Sequence, residues 1–177
     1  MIECEVVNQK VDVVSVVRKA LEVLSAVGGK AIDYGKQSGG GEFAGAAVMD
    51  YEAAVAINLA MIELKPEWNL ALMWKVLSND PRDGWVVCQD LACFASNHLG
   101  PSGDKFGRDG LLYWVRHWAR RDGSSREAAW KFGHGYDTHQ RYYRETVEPL
   151  LSGWFIAAKG KLEPVIACYF ENLVEAA

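Results

Sequence analysis

The sequence predicts an all-α fold: a compact helical domain with a helix-turn-helix in its C-terminal half. Apolar residues recur at helical spacing along most of the chain, no stretch sustains strand alternation, and clusters of Gly, Pro, Asn and Asp separate the runs. Half of the 177 residues are apolar, enough to bury a core, so a single helical domain over residues 1–177 is expected.

The first helix is read in VDVVSVVRKALEVLSAV, residues 11–27, with Val13, Val17, Ala20, Leu21, Leu24 and Val27 on one face and Gly28 and Gly29 as its stop. The glycine-rich YGKQSGGGEFAG, residues 34–45, reads as a loop or a hinge. It lacks the order of glycines, lysine and hydroxyl residue that a phosphate-cradling loop requires. From Met49 a second helix is expected, with Ala53, Val55, Leu59 and Ile62 inward, ending before Pro66. Residues 66–77, PEWNLALMWKVL, start with a proline suited to a first helical turn and stop at the turn cluster SNDPRDG. Helices joined so closely should pair as a hairpin. Residues 84–100 are apolar nearly all round, which predicts a central helix. In LLYWVRHWARR, residues 111–121, Leu111, Trp114, Val115 and Trp118 should face inward and Arg116, Arg120 and Arg121 outward. After residue 146 two further segments are expected, punctuated by Gly160 and Pro164.

Between these lies SREAAWKFGHGYDTHQRYYRE, residues 125–145, inside a module spanning 109–151. A helix-turn-helix needs a clean start, small residues where the helices touch, a glycine at the turn and a second helix whose outer face reaches base edges. Ser124 with Glu127 forms a capping box, Ala128 and Ala129 are small, Gly133 can turn left-handed, and Asp137 with Gln140 offers a second cap. On the second helix His139 and Tyr142 should point inward and Gln140, Arg141 and Arg144 outward. Arginine can hold guanine O6 and N7 together, and glutamine can hold adenine N6 and N7. Tyr136 joins this DNA-facing set, while Arg120, Arg121, Arg126 and Lys131 would meet phosphates. The competing reading is a structural turn whose arginines are only solvated.

Charge is local. Residues 116–144 carry seven basic and three acidic side chains, a +4 segment in a chain of −4, which leaves −8 on the remainder. A protein that coats nucleic acid or membrane by overall charge is excluded. Four scattered cysteines suit reduced thiols in a cytoplasm. The acidic start, MIECEVVNQK, is unlike a secretory signal, and no apolar run is long enough to span a membrane, so a cytoplasmic protein without membrane contact is expected. Cys88, Cys93 and His98 stand five apart, off a common helical face, so no metal is expected. Cys93 or Ser96 with His98 or His117 lacks a nucleophile turn and an orienting acid, so no enzymatic activity and no cofactor are expected. The seven tryptophans stand mostly at core spacing.

The words MDYEAAVAINLAMIELKPEWNLALMWKVL and SSREAAWKFGHGYDTHQRYYRETVEPLL, in this order, resemble the lambdoid-phage late-gene antiterminators of the Q class. The resemblance is to the branch whose C-terminal part looks like sigma-factor region 4. In that branch a helical pair with an Asp near its start precedes the helix-turn-helix, and a Val-Glu continuation follows, where Val147-Glu148 stand here. Residues 80–121 stand as an insertion relative to that pattern. The resemblance implies a regulator in a bacterial host cell that binds double-stranded DNA at a late promoter. Such a regulator engages a paused RNA polymerase that still holds sigma, then travels with the enzyme past terminators. An ordinary helix-turn-helix repressor or activator, and a helical interaction or inhibitor protein without a DNA site, are the alternatives.

Overall fold

Each helix buries one face, and the order of those faces builds the molecule. A computed structural model describes residues 12–29 and 49–175, and every regular element among them is helical. The elements are α1 (Val13–Gly29), α2 (Tyr51–Ile62), α3 (Pro66–Leu77), α4 (Asp83–Leu99), α5 (Gly107–Arg120), α6 (Ser125–Phe132), α7 (Tyr136–Tyr142) and α8 (Glu148–Glu175). A 3-10 turn (Gly100–Ser102) precedes α5, and a π-helical turn (Tyr143–Val147) carries α7 into α8 without a break. The expected hinge at 34–45 lies outside the described residues.

Two apolar clusters share one spine. The first gathers Val13 and Val17 of α1, Ala54 and Ile57 of α2, Leu72 and Val76 of α3, and Leu162 and Ile166 of α8. The second gathers Trp74 of α3, Leu91 of α4, Leu111, Trp114 and Trp118 of α5, Ala128 of α6, Tyr142 of α7, Val147 of the π-helical turn and Leu151 of α8. Trp68 and Phe155 pack against both, so α3 and α8 bind the halves together. The buried Trp74 indole is satisfied, because its N–H donates to the Val115 carbonyl across 2.9 Å.

Local chemistry explains several boundaries. Asp50 accepts the Ala53 N–H at 2.8 Å and caps α2, and Pro66 stands in the first turn of α3 as expected. Asp80 accepts N–H groups from Arg82 and Asp83, each at 2.8 Å, which turns the chain into α4 and lowers its carboxyl pKa. A Cβ at Gly84 would collide with the Leu77 carbonyl, so only glycine lets α4 start this close to the end of α3.

Five expectations are corrected. α1 continues through Gly28 and Gly29 instead of stopping before them. α2 faces the core with Ala53, Ala54, Ile57 and Met61, leaving Leu59 and Ile62 exposed. A helix apolar on nearly every side carries no periodic signal, and the small alanines decide its face by letting neighbours approach. α2 and α3 form no hairpin: α2 packs on α1 and α8, and α3 packs on α4 and α8. α4 is one-sided, burying Cys88, Leu91, Ala92 and Ala95 while Trp85, Val86 and Phe94 are exposed. Finally, Gly160 and Pro164 lie inside α8 and do not divide it. Pro164 lacks the N–H that the Gly160 carbonyl would accept, and the packed residues Ala158, Leu162 and Ile166 hold the helix through that gap.

Candidate nucleic-acid interface

α5, α6 and α7 rest on a bed of rings. Leu111, Trp114, Val115 and Trp118 of α5 are all buried, as their spacing predicts. The Trp114 ring stacks on Tyr143 with centroids 5.0 Å apart, and Phe106 stacks on His139 at 3.9 Å. Tyr142 meets Phe106 edge to face at 5.0 Å. Burial pushes the phenols of Tyr142 and Tyr143 up to about 12, with the Asp104 and Glu148 carboxylates adding to the respective shifts.

The entry to α6 is held by Tyr113. Ser124 Oγ accepts the Glu127 N–H at 3.2 Å, which is the forward half of the expected capping box. The return half is replaced. The Ser124 N–H donates to the Tyr113 hydroxyl at 2.7 Å, while the Glu127 carboxylate takes the Lys131 ammonium at 2.5 Å and lies 3.2 Å from that hydroxyl. Gly123 has φ 78°, and a Cβ there would run into the Tyr113 hydroxyl. Arg121, also left-handed at φ 58°, closes α5.

The link between α6 and α7 is three residues, Gly133, His134 and Gly135. Gly133 has the positive φ that glycine permits, 73°, but its ψ of −169° is not the expected left-handed helical conformation, and His134 has a positive φ too, 63°. Asp137 is not the second cap. Gly135, extended at φ −77° and ψ 153°, precedes α7 with no side-chain acceptor, and Asp137 sits in the first turn, where its charge favours the helix dipole.

His139 is fully buried, which agrees with the expected inner position. Its Nε2 lies 2.8 Å from the Gly133 carbonyl. A carbonyl only accepts, so Nε2 carries the proton and the ring ties the end of α6 to the first turn of α7. Nδ1 is buried without a partner among the described residues. Ala128 is fully buried between the helices and Ala129 only half so.

The outer face carries most of the expected set. Arg141 and Arg144 are exposed, Gln140 is half-buried, and Tyr136, at the start of α7, is 43% exposed. Arg126 is exposed on α6. Arg126, Arg141 and Arg144 make no hydrogen bond or ion pair with another described residue. Asp137 and Glu145 interrupt this basic face.

Arg120, Arg121 and Lys131 are engaged within the protein. Arg120 Nε donates to the Ser78 carbonyl and its guanidinium lies 5.3 Å from the Trp74 ring, closing the end of α3. Arg121 bonds the Tyr143 hydroxyl at 2.9 Å and Glu148 at 3.2 Å, and Lys131 is paired with Glu127. An open cleft of ≈ 430 Å³ lies beside Arg120, lined also by Asn79, Pro81, Trp85 and Asp122. In it Asp122 is held by Arg116 at 2.8 Å.

Cys88, Cys93 and His98 do not converge on a site among the described residues. Burial pushes the Cys88 thiol up to about 12, Cys93 is exposed, and His98 stands edge-on to Trp154 at 5.5 Å. No cluster of three or more potential metal ligands occurs among the described residues. None of the described helices is long and apolar enough to cross a membrane.

One surface residue escaped the sequence reading. Trp130 is 84% exposed on α6, whereas Trp74, Trp114, Trp118 and Trp154 are buried as anchors. Its position two residues after the inward Ala128 carries the signal, because residues two apart point to opposite sides of a helix. Comparisons with protein-family models, curated proteins and solved structures find no significant match.

Proposed function

We propose that the protein is a DNA-binding transcription regulator that acts through contacts and not through chemistry. The observation that carries this reading is the exposed pair Arg141, on α7, and Arg144, in the π-helical turn after it, which no described residue engages, beside the buried His139 and Tyr142. In this reading α6 and α7 are a helix-turn-helix, with α7 entering the major groove. Arg141, Arg144 and Gln140 meet base edges there, and Tyr136 and Arg126 meet the flanking backbone. Arg120, Arg121 and Lys131 set the shape of the module, since their charges are already engaged.

Within that class we infer an antiterminator, on the strength of the sequence resemblance. It would load onto a bacterial RNA polymerase holding sigma at a late promoter and permit terminator readthrough. Readthrough in a purified transcription system separates it from a conventional repressor or activator. DNA binding itself is tested by selection from random duplex DNA, with and without the polymerase.

A second reading, a helical interaction protein without a DNA site, is favoured by the exposed apolar Tyr51, Leu59 and Ile62 on α2. Failure to enrich any duplex in either selection would decide for it.

A further inference from the structure

Among the described residues Trp130 is the most exposed large apolar side chain, and it stands on the only helix that leads into the three-residue turn before α7. Nothing in the core explains its outward position. Ala128 and Phe132 supply the packing of α6, and the indole points away from both.

One cation flanks Trp130 on its own helix. Arg126 lies one helical turn before it on the same face, exposed and without a partner among the described residues. After the turn the chain carries Tyr136, 43% exposed, then Arg141 and Arg144, which also have no partner among the described residues. An exposed indole one helical turn from a guanidinium that no described residue engages matches a polymer that offers flat bases and phosphates together. A duplex hides its base faces in the stack and shows only edges, so an indole this exposed gains little from it. An unpaired strand offers the whole face.

We propose that Trp130 is a stacking platform for an unpaired base of single-stranded DNA beside the duplex that α7 reads, with Arg126 holding the phosphate where strand and duplex meet. The proposal rests on the reading of α7 above in one respect, the choice of DNA as the polymer. A regulator acting at opened promoter DNA would then touch both duplex and single strand with one surface.

The test compares the full chain with W130A, W130F and R126A. The probes are an oligothymidylate and an oligouridylate, each of about 20 nucleotides, and a blunt mixed-sequence duplex of similar length. Oligothymidylate should quench tryptophan emission in the parent. W130A should weaken that binding roughly 5- to 100-fold, W130F should recover part of it, and R126A should flatten its salt dependence. Duplex affinity of W130A should stay within about twofold of the parent. Because the indole is exposed, the variants should unfold at the parent's urea midpoint.

Equal oligothymidylate binding by parent and W130A, or no binding by the parent, overturns the proposal while leaving duplex recognition intact if the duplex is still bound. Loss of duplex binding alone overturns the reading of α7 and leaves the stacking platform. Tighter binding of oligouridylate overturns the choice of DNA.

Discussion

His139 stands where an aliphatic side chain would bury without a polar atom to satisfy, and its bond to the Gly133 carbonyl explains the choice. His139→Phe keeps a ring against Phe106 but leaves that carbonyl without its partner. It should lower the unfolding free energy by about 1 kcal/mol, read from urea denaturation; an unchanged midpoint would mean the bond contributes nothing. On the outer face, Arg141→Ala should relax sequence preference, because a bidentate base contact discriminates by about 1–3 kcal/mol. Arg126→Ala should weaken all duplexes alike and reduce the salt slope by about one. The sequence spacing assigned Arg120 to the same phosphate role. Its bond to the Ser78 carbonyl and its position over Trp74 give it another: Arg120→Ala should cost about 1 kcal/mol of stability.

At the scale of elements, Ser124 and Gly123 fix where α6 begins. Ser124→Ala removes the acceptor for the Glu127 N–H and should destabilise the protein by about 1 kcal/mol in thermal or urea unfolding. The elements most legible in the sequence are those with one strong apolar stripe. α5 buries the residues that helical spacing selects, α1 buries Val13, Val17 and Ala20 and half-buries Leu21 and Leu24, and Pro66 marks the start of α3. The order of inner and outer residues on α7 and the π-helical turn after it was equally legible, because His139, Tyr142, Arg141 and Arg144 alternate in kind. α2 and α4 were not, since alanine and other apolar residues surround both helices and the chosen face depends on which neighbour arrives. The replacement of the return cap by Tyr113 was hidden as well. It depends on a side chain eleven residues upstream of Ser124 being carried there by α5. Trp130 was misleading for a different reason: a tryptophan is read as core unless its neighbours on the helix are placed first.

Across the whole molecule, burial ties stability to alkaline pH. Desolvation lowers the Lys75 ammonium from 10.5 to about 8, its Nζ being held 2.8 Å from the Trp118 carbonyl. Between those values the unfolded chain holds a proton that the native state has released, so this group makes stability rise with pH. Cys88 acts in the opposite sense. Burial raises it from 9.0 to about 12, so above 9 the unfolded thiol loses its proton while the native one keeps it, and stability falls. Tyr142 and Tyr143 add to the fall above 10. Urea midpoints under reducing conditions should therefore decline steeply above pH 10, and Cys88→Ala should remove the part of the decline that starts near 9. A variant with an unaltered profile would contradict that origin.

The same scale governs the functional claim, because the basic segment 116–144 sits on a body carrying −8 and should present one face alone to DNA. Selection from random duplex DNA, run on the parent chain and on Arg141→Ala, tests this most directly. The parent should enrich one family of sequences, and the variant should enrich a family in which one base position has become degenerate. Enrichment of the same family by both would contradict base reading by Arg141, and no enrichment by the parent, with or without RNA polymerase, would contradict a DNA-reading α7 altogether.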